Sequence, residues 1–467
     1  MRDEALPLGV FANSGKAMGA PSEADFAALA LRVQPAKPPM AGPHLGATSE
    51  VDAQDLADAG WGIIFGASVS ADIRARLEPL ISARRMEASS RQERRFRIFA
   101  DASAPRKDES AAAWVGRHGA AIGFPVDPDK GVPYYLLIVA SPEEISFEFQ
   151  YALDMDWAVG RLWFDASEDF SRYAQKLCEY ERRSDLLTPR FVVFAPEHEL
   201  DDATTRFVSG VAEPLSADSG RGPLGGSLNY LLEPRLGFRA TKAELASLLV
   251  GAARPSVLFT GGHGVACEFN GPDDSARQRA IQGALVCADW PNAGVLDESH
   301  WFGAGDLDSA ADLSGLIHFC FACYGGGVPE SDDFSQVDRA PRRIAERPFI
   351  ALLPQKLLAQ GALAVVAHVD RAWSYSFKSM NGGTQEQGFR DALYRILRGD
   401  RLGDALDAFN VKWTKLTADL HPVFVRWNNG EPGNERDLAN LLVAAHDARN
   451  YIVLGDPAVR ARRKPVA

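Results

Sequence analysis

Cysteine is scarce in this 467-residue chain: five, at positions 178, 267, 287, 320 and 323. So sparse and odd a set excludes a disulfide-stapled scaffold and points to reduced thiols in a cytoplasmic protein. The chain has no apolar run of about 18 residues, the length a membrane span needs; the stretch ASLLVGAARPSVLFTGG is interrupted by Arg254 and Pro255. Basic residues are outnumbered, 50 Lys and Arg against 62 Asp and Glu, for a net charge of −12. A chain so charged lacks the basic face that phosphates require and is disfavoured on anionic lipid, so neither nucleic acid nor membrane is expected as a partner. The first residues, MRDEALPLGVFANSGK, carry early acids and no apolar core, so no secretory signal is expected. No G-x-x-x-x-G-K-[ST] follows a strand, which excludes a phosphate loop. No second C-x-x-C completes a zinc site with Cys320 and Cys323.

What is present is an alternation of buried-type strands and amphipathic helices. The strands read as 134–139, 157–164, 190–196, 256–260, 315–321 and 361–369, with a short one in AGWGIIFG. The helices read as 166–184, 241–250, 349–360, 387–398 and 401–418, the first opening on Glu168 and Asp169 and closing on Arg182 and Arg183. Strands alternating with helices predict an α/β fold whose largely parallel sheet is covered on both faces. Residues 1–55, rich in Ala, Pro and Gly, read as an irregular N-terminal segment. The Gly-, Ser- and Pro-dense stretch PLSADSGRGPLGGSLNY divides the rest into a first α/β unit, 56–215, and a second, 228–467.

Two strand ends carry chemistry. VLFTGGHG ends an apolar run in His263, and LIHFCFACYGGG ends another in Cys323. Side chains just past the carboxyl ends of parallel strands converge on one edge, where open α/β sheets bind ligands. A thiol must become a thiolate to attack a carbonyl carbon, and an imidazole can take its proton and return it to a leaving amine. Glycines let the main chain close on a substrate, and the Gly264 and Cys323 amides are the expected oxyanion donors. His318 and His368 lie inside strands and read as core histidines, His118 reads as surface or loop, and His300 lies in a loop.

Strand–His-Gly followed by strand–Ala-Cys, in TGGHG and FACYGG, resembles the caspase-like cysteine peptidases. Within that group the chain is most similar to the gingipain-type peptidases, relatives of the CHAT-type proteases. YYLLIVASPEEI and MDWAVGRLWF resemble the strand, loop and "VGR" strand of their first subdomain. GALAVVAHVDRAW resembles the strand and turn after the catalytic cysteine, and YIVLGDPAVR the "LGDP" ending. The likeness runs over roughly residues 130–460. It implies a caspase/haemoglobinase-like fold of two side-by-side subdomains, the second catalytic, with His263 as acid and base and Cys323 as nucleophile. It implies no cofactor, a protein or peptide substrate and a regulatory protein partner. With no secretion signal expected, an intracellular processing protease is the expectation. The resemblance also sets Asp154 and Asp156, ahead of the "VGR" strand, near an acid that selects a basic substrate residue. Asp332 and Asp333 after the nucleophile loop, and Asp370 with Trp373 after the next strand, are further pocket candidates for Lys or Arg. Two other functions fit the same residues: a non-catalytic caspase-like scaffold that binds peptide or protein, and a thiol-dependent hydrolase of a small molecule.

Overall fold

Short apolar runs bounded by turn residues are strands that can be buried on both faces. In the computed structural model, which describes residues 6–19, 46–184, 189–217, 224, 228–250, 254–337, 340–378, 383–429 and 435–461, ten strands, most of them of this kind, form one sheet. They are β1 (Trp61–Phe65), β2 (Phe96–Phe99), β3 (Tyr135–Val139), β4 (Ala158–Leu162), β5 (Arg190–Ala195), β6 (Leu231–Leu236), β7 (Val257–Gly261), β8 (Ile317–Phe321), β9 (Ala364–His368) and β10 (Tyr451–Gly455). Their spatial order is β2-β1-β3-β4-β10-β9-β8-β7-β5-β6. All neighbours are parallel except β9 and β10. The class is therefore α/β with a largely parallel sheet flanked by helices. Every residue of β3, β7, β8, β9 and β10 is buried, so these strands show continuous apolar runs and no alternation.

Helices cover the sheet with one apolar stripe each. In Ser167–Arg182 the stripe is Phe170, Tyr173, Ala174 and Leu177. In Gln387–Arg398 it is Phe389, Ala392, Leu393, Ile396 and Leu397, and the helix stops at Gly399, whose φ of 94° admits the left-handed turn. The stretch 401–418, read as one helix, is broken at Leu406 into Leu402–Ala405 and Asp407–Asn428.

β10 is the seam. It runs parallel to β4 and antiparallel to β9, so the carboxyl ends of β5, β7, β8 and β9 share an edge with the amino ends of β1, β3 and β4. Asp456, next after β10, fastens that seam. Its carboxylate takes the Arg84 Nε–H at 2.6 Å and the Trp61 indole N–H at 3.0 Å, all three groups fully buried. Arg84 also pairs with Glu181, so it is removal of Arg84 that leaves a buried charge, Asp456, uncompensated, at a cost of about 3–5 kcal/mol. This is the physical role of the LGDP ending.

Two readings of the sequence meet a different arrangement. Strand β5, N-terminal to the 215–228 division, pairs with β7 and β6 on the second side of the seam. Residues of the 1–55 segment read as irregular include two strands, Gly9–Phe11 and Lys16–Ala17. They join Gly264–Ala266, Leu285–Val286 and Trp301–Phe302 in a five-stranded sheet beside the His263 turn. The Gly264–Ala266 partner of Gly9–Phe11 lies some 250 residues away in sequence, so no local pattern announces that pairing.

Candidate active site

His263 and Cys323 each stand two residues past neighbouring parallel strands, whose register pairs Gly261 with Phe321. The Gly262 N–H continues the ladder onto the Phe321 carbonyl at 3.1 Å. The two backbones then come so close that a Cβ on Gly264 would lie 2.0 Å from the Cys323 carbonyl oxygen. Glycine is required there by close approach. After Cys323 the chain reverses through Tyr324, held at a φ of 60°, and its N–H bonds the carbonyl of Asp370, at a φ of 65°. Non-glycine residues in the left-handed region cost about 1–3 kcal/mol each and cluster at functional sites.

The imidazole of His263 is oriented by a residue the sequence reading left unidentified. Its Nε2 is 2.6 Å from Asp201 Oδ2. Asp201 follows β5, whose carboxyl end lies beside that of β7, and caps the helix Asp202–Phe207. Thr204 donates its hydroxyl to the same Oδ2 at 2.6 Å. Burial alone would raise this carboxyl, but the His263 ring and the Thr204 donors outweigh it and hold it well below the usual range. An ionised carboxylate can only accept, so Nε2 carries the hydrogen and Nδ1 of a neutral ring carries the lone pair. Nδ1 has no hydrogen-bond partner among the described residues. His198 stacks on the ring at 5.9 Å and Trp290 meets it edge-on at 6.3 Å. Burial, then the nearby His263 ring, lower the His198 pKa to about 4, so His198 stays neutral beside it.

The thiol is fully buried. Its Sγ accepts the Ala372 N–H at 3.3 Å and lies 3.7 Å from the Ala372 oxygen. Burial pushes its pKa well up, against a smaller opposing effect of the Ala372 N–H and Arg371. A standing thiolate is therefore disfavoured, and ionisation requires a base at the moment of attack. The two amides expected to hold an oxyanion do converge: the N–H groups of Gly264 and Cys323 both donate to one oxygen, the carbonyl of Leu8, at 3.0 Å each.

The acids proposed for a basic substrate residue are distributed as follows. Asp154 is buried and accepts the Val159 N–H at 3.2 Å; Asp156 accepts the Gly123 N–H at 2.6 Å. Asp332 is paired with the buried Arg371, and Asp333 with Arg449 at 2.6 Å. Asp370 spends Oδ1 on the Arg371 N–H and keeps a buried Oδ2 without a hydrogen-bond partner among the described residues; burial, then Asp332, raise its pKa well above the carboxylate range. Trp373 is fully buried against Phe334, and its backbone N–H is held by Asp447 at 2.7 Å. His318 is a core histidine, 2.9 Å from the Thr260 hydroxyl, and His368 is buried edge-on to Tyr451. His118 is partly buried against Phe99 and Trp114, and His300 Nδ1 takes the Asp297 N–H. All five cysteines are free thiols, Cys320 and Cys323 included.

No family model and no curated protein matches the chain. A solved structure described as a protease aligns with a TM-score of 0.47 at 11% identity, over 87% of this chain and 79% of that one. A Saccharomyces cerevisiae separase–securin complex aligns with a TM-score of 0.32 at 9% identity, over 69% of this chain and 15% of that one. A second structure of that complex gives 0.29 at 8% identity, over 69% and 16%. No described helix is long and apolar enough to cross a membrane.

Proposed function

We propose that the chain is a caspase-like cysteine endopeptidase of the gingipain type, with two α/β units side by side and an intracellular processing role. Cys323 is its nucleophile, His263 its acid and base, and Asp201 the group that fixes the imidazole. The observation that carries this reading is the convergence of the Gly264 and Cys323 N–H groups on one oxygen beside the thiol, with the Asp201–His263 pair one strand away. In the reaction, Nδ1 of His263 takes the thiol proton and Sγ bonds to the substrate carbonyl carbon. The oxyanion is held by the two amides, and the C–N bond breaks as His263 protonates the leaving amine. Water, deprotonated by the same ring, then hydrolyses the thioester. Asp201 stabilises the imidazolium that forms in both halves.

Asp156, Asp332 and Asp333 have partners of their own, so the charge they offer a substrate is small. We therefore propose a pocket that selects by shape, in place of the Lys or Arg preference that their number suggested. The five free thiols suit a reducing compartment. Complete burial of Cys323 favours the scaffold reading, yet part of the cover is the chain's own segment at Gly9, laid against the thiol.

The test is incubation with a peptide library, sequencing the products before and after iodoacetamide. Cleavage that stops once Cys323 is alkylated is the expected result. Cleavage that continues with Cys323 modified would sink the mechanism. Hydrolysis of small thiol-sensitive esters with no peptide cut would transfer the site to a small-molecule hydrolase.

A further inference from the structure

Residues 6–11 cross the active site as an extended strand whose register is that of a substrate. Upstream of Leu8 the strand pairs antiparallel with the loop after β9. The Leu8 N–H bonds the Ala372 oxygen at 2.8 Å, the Ser374 N–H bonds the Leu6 oxygen at 3.0 Å, and Pro7 bridges Trp373. Downstream, Gly9–Phe11 runs parallel to Gly264–Ala266. Between these ladders the Leu8 carbonyl sits on both amides assigned to the oxyanion. The Leu8 side chain is fully buried. The next residue lies on the thiol: a Cβ on Gly9 would be 2.9 Å from Cys323 Sγ and 2.6 Å from Met18 Sδ. A strand held only for structure needs its own ladders satisfied. It has no need to present one carbonyl to two converging N–H donors and the following residue to a thiol.

We propose that the Leu8–Gly9 peptide bond is a self-cleavage site, cut in cis by Cys323; this rests on the peptidase reading above. His263 Nδ1 takes the Sγ proton and Sγ bonds to the Leu8 carbonyl carbon. The Leu8 C–Gly9 N bond breaks, and His263 delivers its proton to the Gly9 nitrogen. Water then cleaves the thioester, leaving a Leu8 carboxylate and a new amino terminus at Gly9. No oxidant or cofactor enters. Until the bond is cut the segment covers the thiol, and its register assigns the substrate class: an aliphatic residue before the scissile bond and a small one after it.

The experiment follows the amino terminus of the purified full chain by intact mass and terminal sequencing. A terminus at Gly9 should accumulate in the wild type, at a first-order rate unchanged by tenfold dilution. It should be absent from Cys323→Ala and His263→Ala. Two full-chain variants, Gly9→Val, which drives a side chain into Sγ, and Leu8→Asp, which buries a charge, should lose self-cleavage and turn over added peptides faster than the uncut wild type. A wild type that stays intact while either variant cuts added peptides would overturn self-cleavage and leave the peptidase reading standing. An intact wild type with both variants inert, though folded by circular dichroism, would overturn both. A Gly9 terminus appearing equally in Cys323→Ala would assign the cut to another protease.

Discussion

Replacing Cys323 by alanine is expected to lower peptide turnover on the order of 10⁴-fold or more, with the fold retained. The backbone N–H of residue 323 is unaffected, and the hydrogen bonds that Sγ makes among the described residues are two weak ones, both to Ala372. Removing one small buried group costs roughly 1 kcal/mol, within what a folded domain tolerates. Turnover and thermal melting on one sample separate the two effects. Retained activity in the alanine variant would leave a scaffold or another nucleophile as the explanation.

The second large effect is at Asp201. Asn keeps part of the cap of the helix Asp202–Phe207, since its carboxamide oxygen, in the place of Oδ1, can still accept the Ala203 N–H. What it loses is the charge that holds a hydrogen on Nε2 of His263. An amide N–H turned toward the ring would instead favour the tautomer with its hydrogen on Nδ1, the atom that must receive the thiol proton. A fall in kcat on the order of 10³- to 10⁴-fold is expected, with KM and melting temperature little changed. Asp201→Asn with full kcat would mean that Asp201 is a helix cap and no more.

Much of this was legible in the chain. The inner strands could be read because burial on both faces makes them continuous apolar runs, whereas the part-exposed edge strands β2 and β6 could not; the strand-end positions of His263 and Cys323 could be read because glycines follow them. Asp201 was not, although it follows the apolar run RFVVFA. It is one of 62 acids, and only the β5–β7–β8 register brings it to His263. The Gly9–Phe11 strand has three residues and no periodicity to detect. The antiparallel seam at β10 is a matter of strand direction, which composition does not encode. The acids near the site were visible; their pairing with Arg371 and Arg449 was not, because those partners are brought in by folding.

The claim that Cys323 acts as a nucleophile toward a peptide carbonyl is tested most directly by a leucyl peptide chloromethyl ketone, with the adduct mapped by mass spectrometry. The account predicts one adduct, on Cys323, formed rapidly in the wild type once Gly9 is the amino terminus, and slowly in His263→Ala. An adduct spread over all five cysteines, or one at Cys323 formed as fast without the imidazole, would contradict it.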